Sequence, residues 1–266
     1  LSHRSVIEIS GADRLMWLHS LTTQHLESLE PGAWKEALIL DPQGHVEQQL
    51  FLVDDGSSTF IHLDRVSAPA LLDYLAKMKF MLRVEVKDVS DAFAILKAPG
   101  KTDDIGGPFA LVPRDEFAAT TSAFATANLQ IGMWAIEAER VAQGRARIGL
   151  DTDHKSIPNE LGLLNKAVHM NKGCYRGQET VAKVFNLGHP PRRLVLLHLD
   201  GSSVDIPSHG DPVVYEGKEI GFVGSVARHY ELGPIALAVI KRMTPADAVL
   251  EVKGILANQE ILVPID

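Results

Sequence analysis

The chain of 266 residues has a single cysteine, Cys174, so it can form no internal disulfide, which fits a reducing compartment such as the cytoplasm. It has no run of about 18 apolar residues, so no membrane span is expected. The opening stretch, Leu1 to Ser10, alternates polar and apolar residues and lacks the apolar core of a secretion signal. Basic residues are in deficit. There are 26 Lys and Arg against 34 Asp and Glu, for a formal net charge of −8. A surface of that sign does not attract a phosphate backbone, and no nucleic-acid partner is expected.

Several catalytic signatures are missing as well. Gly144-Arg-Ala-Arg-Ile-Gly149 has the glycine spacing of a P-loop, but Leu150-Asp151 stands where Lys and Ser/Thr would hold phosphate and magnesium. His45-Val-Glu47 echoes a deaminase H-x-E, yet no P-C-x-x-C completes a zinc site. No G-x-S-x-G elbow is present. One cysteine and scattered histidines show no metal-ligand spacing, so no metal site is expected.

What is present is an ordinary globular composition, 45% hydrophobic and 23% charged, long enough for about two domains. Ser10-Gly-Ala-Asp13 has the form of a capping box with Asp in place of Glu, and Leu15, Leu18, Leu21 and Leu26 supply an apolar helix face behind it. Ala33 to Leu40 and His45 to Val53 read as strands joined by the turn Asp41-Pro-Gln-Gly44. From Ser58 to Glu139 the patterning predicts strand 59–63, helix 67–79, strands 83–88 and 92–97, helix 115–127 and strand 133–138. That β-α-β-β-α-β order is the order of a ferredoxin-like unit. From Leu194 onward, short apolar runs separated by Gly, Pro, Asp and Ser predict a small β-barrel or sandwich.

The densest special stretch is Asn171-Lys-Gly-Cys-Tyr-Arg-Gly-Gln-Glu179. Gly173 and Gly177 bracket the cysteine and permit positive φ or a close backbone approach. Glu179 falls in the first turn of an expected short helix. Lys172 and Arg176 beside Cys174 favour a thiolate, while a small buried thiol between turn glycines is the other reading. Lys172, Arg176, Lys183, Arg192 and Arg193 form a basic cluster against one acid, either a solvated face or a seat for an anion.

Lys172-Gly-Cys-Tyr-Arg-Gly-Gln-Glu179 resembles the K-G-C-Y-x-G-Q-E signature of the YgfZ-type proteins, relatives of the glycine-cleavage T-protein. Other pieces agree in order: Ser10 to Asp13 with Leu18 and Thr22-Thr23, Leu40-Asp-Pro-Gln-Gly44, Arg140 to Gly149, Ile157-Pro-Asn-Glu160, and Gly217 to Ala238. The resemblance implies an α+β fold, a three-domain cloverleaf around a central funnel, with the ferredoxin-like βαββαβ unit and a C-terminal β-barrel. Residues 1–54 and 139–193 would form a discontinuous folate-binding core, 55–138 the ferredoxin-like domain and 194–266 the barrel.

The same resemblance implies a bound tetrahydrofolate or derivative and an accessory role in assembling or repairing iron–sulfur enzymes, with client or assembly proteins as partners. Arg193, Tyr175, Arg140 and Glu160 are the implied folate-binding residues, and Cys174 the implied catalytic one. Departures from the T-protein matter too. Gln48-Gln49 replace its acidic pair, and Ala142 stands where it has a glutamate for the pterin edge. An amide cannot accept a proton as a carboxylate does, which argues against aminomethyltransferase activity. The alternative is a folate-dependent one-carbon transferase or a thiol-based catalyst using Cys174.

Overall fold

A computed structural model describes residues 1–201 and 205–264. The chain forms two compact units. The first comprises Leu1–Asp41, Glu47–Gln130 and Asn165–Gln178; the second comprises Pro42–Val46, Ile131–Leu164 and the chain from Glu179 onward.

The first unit contains β1 (Arg4–Ser10), α1 (Arg14–Leu21), β2 (Trp34–Leu40), β3 (Val46–Asp54), β4 (Ser58–Asp64), α2 (Ala68–Met78), β5 (Glu85–Asp88), β6 (Phe93–Lys97), β7 (Phe109–Pro113) and α3 (Phe117–Ala125), with only Val46 of β3 assigned to the second unit. Five of the strands make one sheet in the order β2-β3-β4-β1-β5. Both faces of that sheet are covered. Ile7, Ile9, Ile39, Leu50, Leu52, Ile61 and Leu63 pack with Trp17 and Leu18 of α1 and Leu71 and Leu75 of α2. On the other face Val6 and Phe60 pack with Ile95, Phe93 and Phe109 of the β6–β7 pair. Alternation in β1 thus sends Ile7 and Ile9 one way and Val6 the other.

Several expectations are corrected here. The Ser10–Asp13 capping box does not form, because Asp13 makes no side-chain cap. Its carboxylate instead accepts from the Arg83 backbone N–H at 2.8 Å and from Arg83 Nη2 at 2.6 Å. Gly11 is required beside it: φ is +109°, and a Cβ would sit 2.1 Å from the Arg83 carbonyl oxygen. Helix α1 ends at Leu21, so Leu26 is buried from the following loop. The final strand expected at 133–138 is the helix α4 (Met133–Ala142). Ala, Met, Glu and Arg in that stretch favour helix, and Ala138 and Val141 are buried three apart while Trp134 is exposed. The order from Ser58 to Ala142 is therefore β-α-β-β-β-α-α, with β7 falling where no element was expected. Helix α3 forms as expected but has no buried residue.

The second unit holds α4, a 3₁₀ turn at Pro158–Leu161, all but the first residue of α5 (Gln178–Leu187), and strands β8 (Arg192–Leu199), β9 (Pro212–Tyr215), β10 (Lys218–His229), β11 (Gly233–Lys241), β12 (Val249–Val252) and β13 (Ile255–Ile261). The six strands close into a barrel in the order β10-β11-β8-β13-β12-β9. Val195, Leu197, Val223, Ala236, Ala238, Leu250 and Ala257 fill its core. Small alanines beside branched residues are how a narrow barrel fills without a lumen. No helix of the described residues is long and apolar enough to cross a membrane.

Candidate functional site

The signature loop belongs to the first unit, and its lysine is not a surface charge. Lys172 is 6% exposed, and its ammonium donates to three backbone carbonyls at and just beyond the end of α1: His19, Thr22 at 2.6 Å and Gln24 at 3.3 Å. Carbonyls at a helix C-terminus lack intrahelical donors and carry the negative end of the helix dipole, so a cation there is well matched. Burial nevertheless pulls the ammonium down to about 8. The cation also lies 5.4 Å from the Tyr175 ring centroid. Tyr175 is itself buried, and burial pushes its phenol up to about 12.

Between these two anchors Cys174 is exposed. Gly177 has φ +79°, the left-handed conformation that favours glycine, and Gln178 N–H closes onto the Tyr175 carbonyl at 3.2 Å. Gly173 needs neither positive φ nor close approach, since a Cβ there would meet nothing within 4 Å. Gln178 opens α5, and Glu179 lies exposed in its first turn. Arg176 reaches Glu47 at 3.2 Å.

Neighbouring polar residues complete the seat. Thr23 Oγ1 donates to the Ala167 carbonyl at 2.6 Å and accepts from Leu38 N–H. Gln24 Nε2 donates to the Glu36 and Lys166 carbonyls. Of the two amides on β3, Gln49 Nε2 donates to the buried Glu36 carboxylate at 2.6 Å, and buried Gln48 Oε1 has no partner among the described residues. Glu36 is a residue the sequence left unmarked. Its only signal is an acid inside the apolar strand Trp34-Lys-Glu-Ala-Leu-Ile-Leu40.

Arg140, Glu160 and Arg193 lie in the second unit. Arg140 bonds Glu137, Asp151 at 3.0 Å and Ser225 Oγ at 2.6 Å. Glu160 receives Arg192 Nε at 2.9 Å and Nη2 at 2.8 Å, and its carboxylate closes the Ile-Pro turn on the Ile157 N–H at 3.3 Å. Arg192 also grips Asp153 at 2.7 and 3.0 Å. Burial raises Asp153, but the hydrogen bonds from Arg192, the Lys155 N–H and Ser156, with the Arg192 charge, together outweigh it and hold the carboxyl well below its usual range.

Arg193 is fully buried, with Nη2 donating to the Thr244 carbonyl at 2.9 Å and to Gln259 Oε1 at 2.8 Å. In this arrangement it presents no atom to a ligand from solvent. The basic cluster expected between Lys172 and Arg193 is thus not a free cationic patch. Its members are buried on carbonyls or held in ion pairs, except the exposed Lys183.

No protein-family model matches the chain. It is 24% identical to a putative chloroplastic transferase of Arabidopsis thaliana over 88% of this chain and 64% of that one. It is 25% identical to a mitochondrial iron–sulfur cluster assembly factor IBA57 homologue of Mycosarcoma maydis, over 73% of this chain and 55% of that one. The tRNA-modifying protein YgfZ of Colwellia psychrerythraea is 22% identical over 87% of this chain and 80% of its own. Among solved structures, the glycine cleavage system aminomethyltransferase T of Bartonella henselae matches 100% of this chain and 84% of its own, with TM-score 0.78 and 17% identity.

These relatives and the shared fold make the chain similar to proteins of the YgfZ/GcvT-like superfamily. Its α+β fold with the closed six-stranded barrel is the T-protein fold. The chain spans less than two thirds of the length of the first two of these relatives.

Proposed function

We propose that this protein binds a reduced folate and acts as an accessory factor for iron–sulfur enzymes in a reducing compartment, the cytoplasm, rather than as an aminomethyltransferase. The observation that carries the proposal is the signature loop: an exposed Cys174 held between two buried anchors, Lys172 and Tyr175. A thiol fixed on so rigid a base is suited to meeting a partner protein or a reactive group, not to filling a core. The relatives named as an iron–sulfur assembly factor and as YgfZ support this direction.

The implied folate residues fit unequally. Arg140 and Glu160 have their polar groups committed to protein partners, Arg193 is fully buried with only its Nη1 left without a partner among the described residues, and Tyr175 is buried. Gln48 does fit: its amide oxygen is buried and unpartnered, the acceptor that the N–H groups of a pterin edge require. A bound folate would supply the one-carbon or stacking chemistry, and Gln48 would hold its edge. Calorimetric titration with tetrahydrofolate tests this directly. Saturable binding that Gln48→Leu weakens is expected, and no binding to the intact protein would overturn it.

One observation favours the transferase alternative. Glu36 places a buried carboxylate 2.6 Å from Gln49, where sequence showed only amides. Turnover of an aminomethyl adduct by the purified protein would establish that reading instead.

A further inference from the structure

We propose that His19, His25 and Glu27 form a binding site for a divalent first-row transition-metal ion of the zinc class. The donor atoms of these three side chains all lie within 4.8 Å of one another. Bonds of about 2.0–2.1 Å to a tetrahedral ion place donors roughly 3.4 Å apart, so closure by roughly 1.5 Å of side-chain rotation completes the set.

The backbone that carries the ligands is held in place. His19 sits in the last turn of α1, and the loop after it is pinned by Thr22 N–H on the Leu18 carbonyl, Thr23 on Ala167, Gln24 on Lys166 and Lys172 on two loop carbonyls. Leu26 is fully buried between His25 and Glu27, which leaves its two neighbours on the outward side.

The ligands are also available. Neither the His25 ring nor the Glu27 carboxylate hydrogen-bonds another described residue. The Leu26 N–H lies 3.3 Å from His19 Nδ1, a long bond that a metal can displace. The His19 and His25 rings stand edge to face with centroids 4.8 Å apart, and the His169 ring centroid lies 5.5 Å from that of His25.

Charge decides which ion the site takes. Lys172 bonds the His19 carbonyl, so the neighbourhood does not attract cations in general. Binding must come from imidazole ligation, which suits Zn²⁺, whereas Mg²⁺ and Ca²⁺ want several oxygens and find one carboxylate. The spacing His19-x₅-His25-x-Glu27 matches no familiar metal motif, because the loop rather than a helix or ribbon brings the three together.

The test is calorimetric titration of the full chain with Zn²⁺, using wild type and Cys174→Ser so that the exposed thiol is separated from the site. One Zn²⁺ per chain is expected in both, with no binding of Mg²⁺. His25→Ala and Glu27→Gln should each weaken Zn²⁺ binding at least tenfold, with circular dichroism confirming the fold. If His25→Ala fails to fold, exposed Glu27→Gln carries the test. No saturable binding, binding unchanged in the variants that fold, or binding lost with Cys174→Ser would each overturn the proposal.

Discussion

The Lys172 ammonium donates to the Thr22 carbonyl at 2.6 Å, joining residues 150 apart in the chain. This bond makes the lysine of the signature a clamp on the loop after α1. The side chain that looks from sequence like a ligand for an anion is a structural cation.

Lys172→Met should therefore destabilise the first unit by about 1–3 kcal/mol, the range for leaving buried polar groups unsatisfied. Chemical denaturation measures it, and hydrogen exchange should show residues 19–27 opening more readily. A loss below about 0.5 kcal/mol would show the clamp to be idle.

Arg192 bridges Asp153 and the buried Glu160. Arg192→Ala leaves Glu160 buried without its partner, and a loss of about 3–5 kcal/mol is expected. The native carboxyl of Asp153 is held low, so its stabilisation is present above the unfolded value near 3.9 and declines as pH falls below it. Asp153→Asn should flatten that part of the acid-unfolding curve.

His62 is fully buried among Phe51, Trp34 and Phe109, and neither ring nitrogen has a partner among the described residues. Burial, with Arg4 nearby, keeps it neutral and its pKa well below the usual histidine value. The unfolded chain takes up a proton near pH 6.5 that the folded chain refuses, so stability falls as pH drops below about 6.5. His62→Phe should remove this slope between about pH 6.5 and 5. Parallel curves for wild type and variant would exclude His62 as its source.

Cys174 is exposed and should react with a thiol reagent in the native protein as fast as a free cysteine within about tenfold. Cys174→Ser should leave stability within about 0.5 kcal/mol, as at an exposed site. If the accessory role holds, the variant fails to restore iron–sulfur enzyme activity in cells lacking the protein. Full restoration would remove the thiol from the function.

Purified wild type should not transfer an aminomethyl group to tetrahydrofolate. If transfer is observed, Glu36→Gln decides whether the buried acid beside Gln49 is responsible: loss of turnover with retained fold assigns the role to Glu36.

Local chemistry made much of this protein legible. The hairpin β2–β3 follows from Asp41-Pro-Gln-Gly44, and α2 and the barrel strands β8 to β11 follow from apolar periodicity and turn residues. The signature pointed to the YgfZ-type proteins because seven specified residues fall within eight contiguous positions. Strand β1, helix α4 and strands β7, β12 and β13 escaped. A single edge of alternation or a short mixed run does not distinguish strand from helix until a partner is present.

The same limit applied to the site. Sequence located Lys172, Tyr175, Arg192 and Arg193 but not their partners, because charge says nothing of what a side chain faces. Only tertiary structure turned Lys172 onto helix carbonyls, Arg193 into the barrel and Arg192 between two acids. It alone gathered His19, His25 and Glu27, since a loop pinned by contacts 142 to 150 residues away sets where those side chains point. Residue identity fixes which bonds a group can make, and the packing of distant segments decides which of them it does make.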